Sequence, residues 1–228
     1  TRGTLAHEAL AAFWRDVRTQ QRLRELGAAG TAERIRAAID VACESLSADV
    51  RRSRVLGVER RWLERAMLAL TAKELERAPF EVIACEAQRT LTIARRRLDV
   101  RIDRIDRLQD GASVLIDYKT VQGPLAPARW TGDRPDQPQL PAYAAHLEAP
   151  PVALAFGRLA LVAVGFAGLS AREGLLPDVK TTAKARHDAL RGRPWDSLID
   201  EWQRVTTALA AAHARGVADV DPTDEACR

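Results

Sequence analysis

Two aspartates and a lysine, Asp103, Asp117 and Lys119, have the types and spacing to cut a phosphodiester bond. They fall within LDVRIDRIDRLQDGASVLIDYKT, Leu98 to Thr120, which reads as two neighbouring strands. Side chains alternate across a strand, so Asp117 and Lys119 point one way while Ile116 and Tyr118 point the other. Arg101, Asp103 and Ile105 share a face of the preceding strand, and a suitable hairpin register brings Asp103 towards Asp117. Paired carboxylates suit Mg²⁺, which takes hard oxygen ligands at about 2.0–2.1 Å and keeps several waters. A metal so held sharpens a water nucleophile and stabilises charge developing on phosphorus. Lys119 would hold or deprotonate that water, or steady the phosphate as a point charge. The plainer alternative is a surface hairpin with solvated acids. The apolar VLI ahead of Asp117 argues against it, because a carboxylate at the end of a core strand needs compensation.

Other side chains could complete such a site. His7 lies near the start of the first helix, stacked with Gly3, Leu10 and Trp14. Its imidazole could ligate Mg²⁺ or Mn²⁺, or it could simply be a packed or capping histidine. Glu86 follows an apolar strand and could approach the same metal, or end that strand in solvent. Gln139 and Tyr143 are four apart, hence on one helical face, where they could bracket a backbone phosphate or stack near a terminal base. Trp130 and Arg134, in a proline-rich segment, could contact single-stranded nucleic acid. Trp62, Trp195 and Trp202 read as core.

The elements that must position these residues fall into three segments of one domain. Residues 1–78 are helical: Leu5 to about Leu26, a break at Gly27 to Gly30, Glu33 to Leu46, and Val55 to Arg77, ended by Ala78 and Pro79. Residues 79–170 form a sheet core. Phe80 to Cys85, Arg89 to Ala94 and Leu98 to Leu108 read as extended, Asp110 and Gly111 as a hairpin turn, and Ser113 to Lys119 as the most strand-like stretch. Pro124 to Pro138 is a connection, Gln139 to Leu147 a short helix, and Ala153 to Leu169 one or two strands. Residues 171–228 carry a closing amphipathic helix, Asp196 to Arg215, and a polar tail after Val217. No internal repeat is present.

Composition narrows the function classes. The chain has 228 residues, 46% of them apolar, enough for a sizeable core, and a net charge of +4 that permits nucleic-acid contact without establishing it. No apolar run has the profile of a membrane span, no signal peptide is visible, and no Walker A signature marks an ATP-driven motor. Cys43, Cys85 and Cys227 are too few and too scattered for a disulfide framework or a zinc site, which suits a reducing, cytoplasmic setting.

Taken together, the motifs resemble the PD-(D/E)XK nuclease superfamily, and within it the RecB/AddB C-terminal nuclease domain of bacterial DNA-repair proteins. The family's Gly-x-x-x-His motif is matched by GTLAH, Gly3 to His7. Its first acid is matched by Asp103 in RIDRID, and its second acid and lysine by Asp117 and Lys119 in LIDYKT. Its Gln-x-x-x-Tyr motif is matched by QLPAY, Gln139 to Tyr143; Glu86 is a looser match. Val100 and Val121 stand where relatives often carry glycine. The resemblance implies an α/β fold, a central mixed β-sheet flanked by helices with a restriction-endonuclease-like core, and His7 as a metal ligand. It also implies Mg²⁺, with Mn²⁺ plausible, as cofactor. Some relatives hold an iron–sulfur cluster with one upstream and three C-terminal cysteines; here only Cys227 lies near the end, so none is expected in this fragment.

The expected function is therefore a metal-dependent deoxyribonuclease acting on single strands or duplex ends in repair or recombination, near the nucleoid, beside a helicase domain or subunit. A noncatalytic DNA-binding or scaffolding module of such a complex is the main alternative. An RNA nuclease or a restriction-type endonuclease is the third.

Overall fold

A computed structural model describes residues 2–160 and 163–217. Its centre is a six-stranded mixed sheet in the order β1-β2-β3-β4-β5-β6. The strands are β1 (Phe80–Ile93), β2 (Arg96–Leu108), β3 (Ser113–Lys119), β4 (Ala153–Arg158), β5 (Gly165–Ser170) and β6 (Lys180–Thr181). The first three are antiparallel neighbours, β3 and β4 are parallel, β4 and β5 antiparallel, and β5 and β6 parallel. A parallel β3–β4 pair requires a crossover, and the proline-rich connection with α5 (Gln139–His146) supplies it.

The helices form two layers. One face of the sheet carries α1 (Arg2–Val17), α2 (Gln20–Glu44) and α4 (Arg54–Leu75), packed through Leu10, Phe13, Ile35, Leu63 and Met67 onto Val114 and Ile116. The other carries α5 and α6 (Trp195–Ala214), packed through Leu140, Leu198 and Trp202 onto Leu115, Leu154 and Phe156. Helices on both faces leave β3 and β4 buried on both sides, which is why their sequences run almost wholly apolar. The short α3 (Ala48–Arg52) links α2 to α4.

Several boundaries differ from the sequence reading. The first helix ends at Val17, where Arg18 turns left-handed (φ 60°) and its carbonyl accepts from the Val82 N–H at 2.6 Å. That turn ties the helical layer to the edge of the sheet. Thr19 then caps α2 by accepting from the Arg22 N–H. Gly27 (φ 60°, ψ −173°) leaves the helical conformation, so α2 is two helical stretches joined at a kink, at the break expected there. The two short strands expected at Phe80–Cys85 and Arg89–Ala94 are one strand, with a bulge between Val82 and Ala84 and a left-handed Glu86 (φ 52°). Its hairpin to β2 closes through Ala94 and Arg95, both left-handed, a conformation that costs non-glycine residues of order 1–3 kcal/mol each. Residues 171–194 hold β6 and a 3₁₀ turn rather than an α-helix.

Cys43 is buried and Cys85 half-buried, its thiol pushed up to about 11 chiefly by burial. Cys227 and the whole tail after Val217 lie outside the described residues. Among the described residues no helix is long and apolar enough to cross a membrane.

Candidate metal centre

The last β2–β3 pair is Arg104↔Ile116, and one step further Asp103 stands opposite Asp117. On the other side Cys85↔Arg104 and Ala87↔Ile102 are paired, which leaves Glu86 opposite Asp103. Three acids thus occupy one rung across three strands. At Asp103 the regular ladder gives way: Oδ2 of its buried carboxylate accepts the Tyr118 N–H at 2.7 Å.

The start of α1 lies over this rung. His7 Nε2 is 3.0 Å from the Tyr118 carbonyl, which can only accept, so Nε2 carries the proton and donates. Nδ1 then faces the acids, 3.3 Å from Asp103 Oδ1 and 3.6 Å from Glu86 Oε1. The second oxygen of Glu86 receives the Arg101 Nε at 2.8 Å. Asp103 and Glu86 therefore each have one oxygen held by the protein and one turned towards His7.

Burial alone would push the His7 pKa down, but the hydrogen bond to Asp103 and the charges of Asp103, Glu86 and Asp117 outweigh it, so the imidazole sits above its ordinary value. Asp117 is also raised, first by burial and then by repulsion from Asp103, against the pull of Lys119 and His7. A surplus of negative charge held out of water needs a cation.

One ligand atom from each of His7, Glu86 and Asp103 can lie within 4.8 Å of the others. A nitrogen and two carboxylate oxygens suit a first-row divalent ion such as Mn²⁺, and Mg²⁺ through the carboxylates. Asp117 is outside that set: its Oδ2 lies 2.6 Å from Lys119 Nζ. Asp117 lies alongside this trio, opposite Asp103 and close enough for their charges to interact.

The remaining candidates separate. Gln139 Nε2 donates to the Tyr143 hydroxyl at 3.2 Å, and that hydroxyl donates to the Arg101 carbonyl at 3.4 Å. Tyr143 is 8% exposed, so its ring braces β2 beside the centre and is not open for stacking on a base. Trp130 corrects a sequence expectation. It is 0% exposed, packed on Phe156 and Trp202 with ring centroids 5.5 and 6.1 Å away, and offers no face to single-stranded nucleic acid. Arg134 is exposed in the connection before α5. Trp62 and Trp202 are buried as expected, and Trp195 packs partly against the same cluster.

Sequence reasoning missed the support beneath the centre. Arg104 and Asp106 lie on the opposite face of β2 from Asp103, both fully buried. Arg104 binds Asp106 through two nitrogens at 2.6 and 2.9 Å, Glu74 of α4 at 2.6 Å, and the Tyr118 hydroxyl at 3.1 Å. Arg77 closes the ring on Glu74 at 2.6 Å and Asp106 at 2.8 Å, while Gln20 donates to the Glu74 and Arg77 carbonyls. Trp14 stacks over Arg104, its ring centroid 3.9 Å from the guanidinium carbon. The signal available was the repeat in RIDRID, which puts an arginine and an aspartate on each face.

A mixed six-stranded sheet flanked by helices, with acids and a lysine on adjoining central strands, defines an α/β domain of the restriction-endonuclease-like class. The family model described as the PD-(D/E)XK nuclease superfamily matches residues 1–228, and the chain belongs to that superfamily. Its members are in general metal-dependent nucleases. A search of curated proteins returned no match.

Proposed function

We propose that this chain is a divalent-metal-dependent deoxyribonuclease, resembling the RecB/AddB C-terminal nuclease domains, that hydrolyses DNA at ends or in single strands during repair or recombination. The observation that carries the reading is the convergence of His7 Nδ1, Glu86 and Asp103, with the Asp117–Lys119 pair alongside. His7, Glu86 and Asp103 would hold Mg²⁺ or Mn²⁺, with Asp117 approaching it. The bound ion would supply Lewis-acid polarisation of the phosphate and a more acidic water. The chain's own groups do the rest. Tyr118 fixes Asp103 through its N–H and His7 through its carbonyl, so the ligands are oriented before substrate arrives. Lys119, 30% exposed, places an ammonium where charge accumulates on phosphorus, and Asp117 orients it. A helicase domain or subunit is the partner such chemistry would need to process ends continuously.

The test is a cleavage panel of labelled single-stranded, blunt and tailed DNA beside matching RNA, in Mg²⁺, Mn²⁺ or EDTA. Cleavage of DNA in metal alone, abolished by Asp117→Ala in a protein that still folds, is the expected result. Full cleavage by Asp117→Ala rejects the assignment. Tight DNA binding without metal uptake or cleavage would make the chain a scaffolding module instead.

A further inference from the structure

The β1–β2 hairpin runs well past the metal centre. Beyond Glu86 and Asp103 the strands stay paired from Ala87↔Ile102 to Ile93↔Arg96. At about 3.3 Å per residue, seven residues make a ribbon roughly 23 Å long. One row of its side chains anchors it: Leu91 and Ile93 are buried in the cluster built by α5 and α6. The other row pairs Gln88 with Arg101, Thr90 with Asp99 and Thr92 with Arg97, and all six are exposed. The ribbon is thus braced on one side and open on the other.

Its exposed rim is rich in arginine: Arg97 and Arg101 lie on the open row, and Arg89 and Arg96, also exposed, lie on the row of Leu91 and Ile93. Arg95 stands at the tip with Arg96 and Arg97 behind it, all exposed and without a carboxylate partner among the described residues. Arg89 reaches only the Gln88 carbonyl, at 2.9 Å. The ribbon's one acid, Asp99, accepts the Thr90 hydroxyl at 2.7 Å. A recess of about 500 Å³ lies between Gln88, Arg89, Thr90, Asp99, Val100 and Arg101. Arg101 joins it to the metal centre through Glu86. The tip is also strained. Ala94 and Arg95 are both left-handed, where a two-residue hairpin turn favours Asn-Gly, yet an arginine is kept there.

Unpaired guanidinium groups on a braced ribbon suit phosphate oxygens. The chain has no Phe, Tyr, Trp or His from Glu81 through Asp117, so the ribbon lacks the aromatic platforms on which single-stranded bases stack. Contact through backbone phosphates alone favours a duplex, which presents two charged strands.

We propose that the β1–β2 ribbon binds the sugar-phosphate backbone of duplex DNA flanking the bond held at the metal centre, with Arg95, Arg96 and Arg97 as its main contacts. At 3.4 Å per base pair the ribbon spans about seven pairs. The proposal rests on the nuclease reading for the position of the cut, and on the ribbon itself for the binding.

The test replaces Arg95, Arg96 and Arg97 together by glutamine in the full chain, at positions whose exposure spares the fold. Affinity for a labelled duplex of about 20 base pairs is measured in Ca²⁺, from about 50 to 200 mM salt, beside the corresponding single strand. The triple variant is expected to bind duplex at least tenfold more weakly and to lose about two to three from the salt slope, at roughly 0.9 per phosphate contact. Single-strand affinity falls less, and Mn²⁺-dependent hydrolysis of bis(p-nitrophenyl) phosphate is unchanged. Unaltered duplex affinity and slope in a wild-type protein that cleaves DNA would overturn the ribbon and leave the nuclease reading intact. A greater loss for single strands would also overturn it. Arginine-dependent duplex binding by a wild-type protein that hydrolyses no diester would strike the nuclease reading and leave the ribbon standing.

Discussion

His7 donates its Nε2–H to the Tyr118 carbonyl at 3.0 Å, and that contact turns Nδ1 towards Asp103 and Glu86. A histidine held this way is a ligand with its tautomer already chosen. Without a metal, the same carboxylates favour a proton on that nitrogen. The raised His7 pKa follows from that substitution of a proton for a metal among carboxylates.

The consequence for stability has a definite sign. His7 titrates higher in the folded protein than its ordinary 6.5, so its contribution is fully present below that value and is lost as pH rises through the folded pKa. Asp117, raised above 3.8, acts in the same direction at lower pH: its stabilisation is complete below 3.8 and lost as the folded carboxyl ionises. In EDTA, the Tm of wild type should therefore fall relative to His7→Gln as pH rises above the ordinary imidazole value of 6.5. Saturating Mn²⁺ should reverse the trend, because deprotonation then favours the ligand. A Tm difference that is flat with pH in EDTA would contradict the proposed environment of His7.

Glu86 carries two local costs, a left-handed backbone and a like charge beside Asp103. Glycine relieves both, and the Arg101 ion pair it removes is a partly exposed one of small value. Glu86→Gly should be more stable than Glu86→Ala by about 1 kcal/mol in urea denaturation without metal. Both should bind Mn²⁺ roughly tenfold or more weakly than wild type by calorimetry. Equal stability of the two variants would remove the backbone strain from the account.

Much of this arrangement is legible in the sequence. Ser113–Lys119 has the boundaries expected of it, because an apolar run after an Asp-Gly turn leaves a strand few alternatives. Asp103 and Asp117 face each other because hairpin register follows from that turn. The position of Glu86 was not legible in the same way. It depends on a bulge at Val82/Ala84 and a positive φ that no glycine announces. Trp130 was misread because its burial comes from Trp202, distant in sequence, and a proline-rich segment gives no local sign of that contact. The break at Arg18 likewise reflects a hydrogen bond to β1 rather than any helix-breaking residue.

The buried ion network separates fold from chemistry. Arg104→Met leaves Glu74 and Asp106 without a main partner, and breaking a buried pair from one side costs about 3–5 kcal/mol. Tyr118→Phe removes only the hydroxyl bond to Arg104, worth about 1 kcal/mol, and leaves the backbone N–H and carbonyl that hold Asp103 and His7. Denaturation should rank the two in that order, with Mn²⁺ affinity of Tyr118→Phe unchanged. A large affinity loss in Tyr118→Phe would mean that the ring, and not the backbone, positions the ligands.

Gly157 tests that distinction from the neighbouring strand. It pairs with Tyr118 across β3 and β4, and a Cβ there would come within 2.7 Å of Tyr118 Cδ1 and 2.8 Å of Cε1. The glycine is the space the ring occupies. Gly157→Ala must move the ring or part the strands, and overpacking of this kind costs about 1–3 kcal/mol. The Tyr118 backbone holds both His7 and Asp103, so parting the strands would also loosen the ligands. Gly157→Ala should therefore lose both stability and Mn²⁺ affinity, whereas Gly157→Ala combined with Tyr118→Leu, which vacates the ring's space, should regain part of each. Loss of stability with full Mn²⁺ affinity would show that the strand pairing tolerates the added methyl and that the metal ligands are held independently of it.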